Sequence, residues 1–156
     1  MFTPFCIREF LLEVLYPPTC VGCEADGTWL CTACLATIAY ARSEDGLVAL
    51  GHYADPSLRC LLTHLKYRSA ICVLESLREF VRRFRSEHIR TWPWAGEPSV
   101  TLCGVPSDER RVRERGLDHV ECLLDIVHAE LVPWATRINL LRRTKHVVQN
   151  AALTDT

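Results

Sequence analysis

Four cysteines in two Cys-x-x-Cys pairs, Cys20-Val21-Gly22-Cys23 and Cys31-Thr32-Ala33-Cys34, constrain this chain more than any other feature. The spacing offers four thiolates to one tetrahedral cation. A two-residue gap lets each pair wrap one edge of a metal, and the seven residues between the pairs let the chain reverse and close the other edge. The pattern is that of a structural zinc site, with Zn–S bonds of about 2.3 Å and no position open to a substrate water. The competing readings are two coincidental pairs or a redox Cys-x-x-Cys. A redox pair normally occurs once, at the start of a helix beside a strand, and not twice in tandem. The linker is shorter than the roughly 15–20 residues of many zinc ribbons. Such a site folds the segment around it and does no chemistry of its own.

With 156 residues, 49% of them hydrophobic and 24% charged, the chain has a globular composition and enough length for one ordinary domain or two small ones. Nine cysteines would suit a secreted disulfide scaffold, but the count is odd and four already form metal pairs. The opening residues do not read as a secretory leader, so the expectation is a soluble protein of the reducing cytoplasm. No apolar run approaches the roughly 20 residues that span a bilayer, because Glu13 already interrupts Phe10 to Tyr16. The net charge of −1 hides a division along the chain. Residues 1–55 hold two basic groups against seven acidic ones, a net −5, and residues 56–156 hold sixteen against twelve, a net +4. The basic residues of the second part are mostly arginines in clusters, and the arginine fork suits phosphate oxygens. For any one cluster the alternative is a solvated helix face, most readily for Arg82, Arg83 and Arg85.

Helical spacing of Ile7, Phe10, Leu11, Val14 and Leu15 predicts a short helix that Pro17-Pro18 ends just before the first metal pair. A second short helix is predicted over Cys31 to Ile38. Ala41 to Gly46 reads as a linker, which divides the chain into a metal-binding region over 1–40 and an α/β domain over 47–156. Leu47 to Tyr53 is a predicted strand. Pro56-Ser57 opens a helix with Leu58, Leu61, Leu62 and Leu65 on one face, ending in Lys66-Tyr67-Arg68, and another runs from about Ala70 to His88. Ser99 to Val105 is the strongest strand signal and reads as buried on both faces. An arginine-rich loop follows, then a helix carrying Val120, Leu123, Leu124, Val127 and Leu131, then a strand near Ile138 to Leu141.

Ligands of open α/β sheets collect at the carboxyl ends of the strands, which puts a binding loop after Val105. Arg110, Arg111, Arg113 and Arg115 lie there. Gly116 permits a close backbone approach or an unusual turn, and a helix starting just after it would add its N-terminal amides to the positive field. Phosphate or pyrophosphate fits such a loop. The alternative is that Arg113 and Arg115 pair with Glu109 and Glu114 as surface ion pairs worth little. The six histidines show no ligand spacing, and Cys60, Cys72, Cys103 and Cys122 read as small buried thiols. Trp92 and Trp94 either stack on bases or cap a core edge.

Several of these segments occur together in one known order. Tyr16-Pro17-Pro18-x-Cys20-x-x-Cys23 precedes Trp29-Leu30-Cys31-x-x-Cys34 and Leu65-Lys66-Tyr67-Arg68. Val105-Pro106 with Arg110-Arg111-x-Arg113-Glu114-Arg115-Gly116 follows, then Leu141-Arg142-Arg143-Thr144 and Gln149. The ordered set resembles the ComF family along the whole chain. The resemblance implies a small N-terminal zinc ribbon joined to a type I phosphoribosyltransferase-like α/β domain, and an association with natural competence, the uptake and handling of single-stranded DNA. It implies that Val105 to Gly116 faces pyrophosphate and that Arg142 to Leu153 begins a flexible loop closing over the site. Lys66, Arg68, Arg110, Arg111, Arg113, Arg115, Gly116, Arg142 and Arg143 are then the phosphate- or nucleic-acid-binding set, and Cys20, Cys23, Cys31 and Cys34 the zinc ligands.

Three departures bear on activity. The family's Phe-Asn-Gln after Arg-Gly is replaced by Leu117-Asp118-His119, whose Asp118 weakens the positive field. Ser107-Asp108-Glu109 brings two acids to the loop. The sequence also stops at Thr156, before the Thr-Thr-Gly loop that holds the ribose 5-phosphate of phosphoribosyl pyrophosphate in such enzymes. The expectation is therefore a shortened ComF-type protein without transferase activity of its own, which binds phosphate groups or single-stranded DNA and competence-type protein partners. Two other readings stand beside it. One is a transferase, with magnesium, completed by a second polypeptide; the other is a zinc-ribbon interaction module with a non-functional remnant. An incomplete sheet edge would also allow self-association.

Overall fold

The structure, a computed structural model, describes residues 17–41, 49–68, 71–91, 97 and 99–144. The predicted helix over Ile7 to Leu15, most of the linker and Trp92 to Trp94 lie outside the described residues. Five α-helices and one two-stranded parallel sheet make a mixed α/β fold among those described.

Helix α1 (Thr32–Thr37) starts at the second cysteine pair because Cys31 is its N-cap: the sulfur accepts the Cys34 amide at 3.4 Å. Helix α2 (Pro56–Arg68) opens on a proline, whose fixed φ suits the first helical position, and Asp55 accepts the Leu58 amide at 2.9 Å. Its Leu58, Leu61 and Leu65 are buried at the expected spacing. The predicted helix from Ala70 is a 3-10 turn over Ile71–Val73 followed by α3 (Leu74–His88). Leu77, Phe80, Val81 and Phe84 recur on the buried face of α3 at intervals of three and four residues.

Strands β1 (Thr101–Leu102) and β2 (Thr136–Arg137) run parallel, with Thr101 opposite Thr136 and Leu102 opposite Arg137. Two helices form the crossover between them, α4 (Glu109–Arg115) and α5 (His119–Glu130). Both strands therefore end at the same side of the molecule, where the segments after Leu102 and Arg137 leave together. The backbone amide of Ile138 still reaches the Leu102 carbonyl at 3.1 Å.

One cluster of buried side chains joins the cysteine segment (Cys20, Leu30, Leu35, Ile38) to α2, α3, α5 and the turn before β2 (Leu131, Val132, Ala135). Tyr40 sits in it against Phe84 and His88, with ring centroids 5.1 and 4.7 Å away, and burial pushes its hydroxyl up to about 12. The arginines of α3 act as staples. Arg78 and Arg82 reach Glu130 on α5 at 2.8 and 3.0 Å, Arg85 donates to the Glu130 carbonyl at 3.1 Å, and Arg83 donates to the Leu35 carbonyl of α1.

Four expectations are corrected. Residues 49–53 of the predicted Leu47 to Tyr53 strand form a turn: Gly51 passes so close to α2 and α3 that a Cβ there would lie 2.6 Å from Leu58 and 2.9 Å from Phe80. Ser99 to Val105 contributes only Thr101–Leu102 to the ladder, and Val105 is 69% exposed. Thr101 is exposed and Leu102 half-buried, so this apolar run is not a strand buried on both faces. The strand near Ile138 to Leu141 sits earlier, at Thr136–Arg137. Among the extra thiols Cys72 is exposed, and Cys60, Cys103 and Cys122 are half-buried.

Candidate metal centre and basic cleft

The four sulfurs of Cys20, Cys23, Cys31 and Cys34 all lie within 4.8 Å of one another. Cys23 and Cys31 are 3.6 Å apart, close to the roughly 3.8 Å that a tetrahedral site with 2.3 Å metal–sulfur bonds requires. Local structure brings them together. The Cys20 amide bonds the Ala25 carbonyl at 2.8 Å, the Glu24 amide bonds the Cys20 carbonyl at 2.8 Å, and Thr19 bridges to Asp26, closing a tight knuckle around the first pair. The Val21 amide ties that knuckle to Trp29 at 3.0 Å, just before the second pair. Gly22 belongs at the contact, because a Cβ there would sit 2.8 Å from the Cys34 sulfur.

Their surroundings pull the thiols in opposite directions. Burial raises Cys20, but the amides of Cys31, Gly22 and Cys23 and the Cys23 side chain more than offset it and bring the thiol down to about 6. Cys34 goes the other way: the neighbouring Cys23 and Cys31 thiols, burial and the Cys20 thiolate push it up to about 12. At Cys23 the Ala25 amide and Cys34 favour the thiolate, yet Cys31, Cys20 and burial outweigh them and hold it above the usual thiol range. Four sulfurs this close cannot all ionise without a positive charge among them. The donor set therefore fits a metal ion such as zinc, held by the four sulfurs with amide N–H groups as their outer partners.

The arginine-rich segment is a helix and not a loop. Asp108 caps α4 by accepting the Arg110 amide at 3.0 Å, and Gly116, with φ of +70°, closes it by donating its N–H to the Val112 carbonyl at 2.8 Å. Among the described residues nothing beyond its own neighbours would crowd a Cβ at Gly116, so its role is the left-handed turn and not a crowded approach. Asp118 likewise caps α5, accepting from Val120 at 3.0 Å, Glu121 at 3.5 Å and the Ser107 hydroxyl at 2.6 Å. Its charge is directed at a helix N-terminus, a role visible in the spacing Asp118-x-x-Glu121.

A cleft of about 440 Å3 opens at the carboxyl ends of β1 and β2. Arg113, Arg142 and Arg143 line it together with the acids Glu109, Asp118 and Glu121. A neighbouring recess of about 210 Å3 shares Pro106, Ser107 and Arg143 with the cleft and adds Lys66, Arg111, Arg115 and His119, with the buried N-cap acid Asp108 among them. Burial and the Arg115 charge, with Lys66 adding to them against Asp118, hold His119 below the ordinary imidazole range. Arg143 also donates to the Pro106 carbonyl at 3.2 Å, linking the segment after β2 to the segment after β1.

Arg68, Arg110 and Gly116 line neither space. Arg110 pairs with Glu114 at 3.1 Å and Arg113 with Glu109 at 3.8 Å, all four side chains well exposed. Arg110, as well as the expected Arg113, therefore takes part in surface ion pairing. None of the described helices is long and apolar enough to cross a membrane. The described residues thus define a mixed α/β protein with a four-cysteine centre and a basic recess at the strand ends. No protein family, curated protein or solved structure matches the chain.

Proposed function

We propose that this chain is a zinc-stabilised protein of the ComF type, whose zinc ribbon anchors an α/β part that binds the phosphates of single-stranded nucleic acid. The observation that carries the binding half is the convergence of Lys66, from the end of α2, with Arg111, Arg115 and Arg143 on one recess at the strand ends. Residues separated by 77 positions in sequence meet there, at the place where α/β folds take anionic ligands. Arginine forks around a narrow recess suit phosphate oxygens, and the four-thiolate centre suits a reducing compartment such as the cytoplasm. The protein partners of the ribbon would be competence-type proteins, by the same resemblance.

Fluorescence anisotropy with a labelled oligothymidylate tests this reading. Binding at low salt should weaken steeply as salt rises, and Lys66→Ala with Arg111→Ala should reduce the log–log slope by about 0.7 per phosphate contact removed. Absence of binding at low salt, or binding indifferent to salt, would contradict it.

A further inference from the structure

Tyr67 lies beside the basic recess, off the buried face of α2 that Leu58, Leu61 and Leu65 define. It follows Lys66 at the last turn of α2, and 45% of its surface is open to solvent. Two cations that line the recess lean over its ring: the Lys66 ammonium is 5.1 Å from the centroid and the Arg115 guanidinium 5.5 Å. These contacts hold the ring in place from two different helices, α2 and α4, while a large part of it stays accessible. An exposed, braced aromatic next to phosphate-binding cations is the arrangement on which an unpaired base stacks while its phosphate is held nearby.

Resting on the phosphate-binding reading above, we infer that Tyr67 is a stacking platform for one base of a single strand whose phosphate occupies the recess of Lys66, Arg111, Arg115 and Arg143. A phosphate contact by itself does not report whether the attached base is paired, because each phosphate carries the same charge in a single strand and in a duplex. A base inside a duplex has its faces covered by its neighbours and cannot reach the ring. Tyr67 therefore confers preference for unpaired nucleic acid, and the recess confers salt-dependent affinity.

The test compares an oligothymidylate, an abasic oligomer of equal length and a duplex, each titrated against the full chain and the variants Tyr67→Ala, Tyr67→Phe and Lys66→Ala. Tyr67→Ala should lose on the order of tenfold in affinity for the oligothymidylate and nothing for the abasic oligomer or the duplex. Tyr67→Phe keeps the ring and should bind as the parent does. Lys66→Ala should weaken all three ligands. Equal losses on the base-bearing and abasic oligomers, or no loss on either, would overturn the stacking role alone. Failure of the parent to bind any of the three at low salt would instead overturn the phosphate-binding reading, and this inference with it.

Discussion

Gly22 shows how closely single residues are matched to the four-cysteine centre. Its missing side chain is what lets the first pair approach the second, since a Cβ would stand 2.8 Å from the Cys34 sulfur and 3.0 Å from its Cβ. Gly22→Ala should therefore lower metal affinity about tenfold, measured by competition with a chromophoric chelator, whereas Gly27→Ala, which meets nothing within 4 Å, strains only a surface turn at φ of +95°. Parent-like affinity in Gly22→Ala would show that the pairs have room to spare. Acid has a definite sign at the same centre. Metal binding must strip protons from Cys23 and Cys34, both held above the usual thiol range, so affinity should fall as pH falls from neutral. Below about 6, where the Cys20 thiolate also takes a proton, the dependence should steepen.

Among the elements, the pairing of α3 with α5 depends on one acidic group. Glu130, whose side chain is 17% exposed, receives Arg78 at 2.8 Å and Arg82 through two nitrogens at 3.0 and 3.3 Å. These bonds hold its carboxyl below the usual carboxylate range, a stabilisation fully present above that range and lost as pH falls through the lowered value. Glu130→Gln should cost about 1–2 kcal/mol by urea unfolding near neutral pH, the half-exposed Arg82 keeping the figure modest, with a smaller difference in acid. A cost independent of pH would refute the assignment. The helices here were legible in sequence where local chemistry decides them. Pro56 and the leucine spacing mark α2, and Cys31 to Ile38 was recognisable as helix because its first turn is set by the cysteine pair. The arginine segment was misread because Pro106 and Gly116 punctuate a loop and a short helix alike; Asp108 at the N-cap was the overlooked signal. Strand extent was not legible at all. Val100 to Val105 looks the same whether one strand or two will flank it, and that depends on pairing between residues some 35 positions apart.

At the scale of the whole molecule, the cysteine knuckle is continuous with everything else. Leu35 and Ile38 are buried in the same cluster as Phe80 and Phe84, Arg83 fastens α3 to the Leu35 carbonyl, and Trp29 meets His64 of α2 with ring centroids 5.0 Å apart. A metal held by the four sulfurs therefore stabilises the shared core and not the leading segment alone, since binding to the folded form is free energy of folding. The candidate binding set was legible as a list of cations but not as a geometry. Lys66, Arg111, Arg115 and Arg143 line one recess, while Arg68 and Arg110 line neither space although each lies within two residues of a member, because adjacent positions on a helix face different directions. The most direct measurement is metal content per chain by elemental analysis of purified protein, followed by thermal unfolding with and without a strong chelator. One zinc ion per chain, lost on modifying the thiols, with a large fall in the unfolding temperature on chelation, is the expected result. Metal-free protein that unfolds cooperatively at the same temperature in chelator would contradict the account.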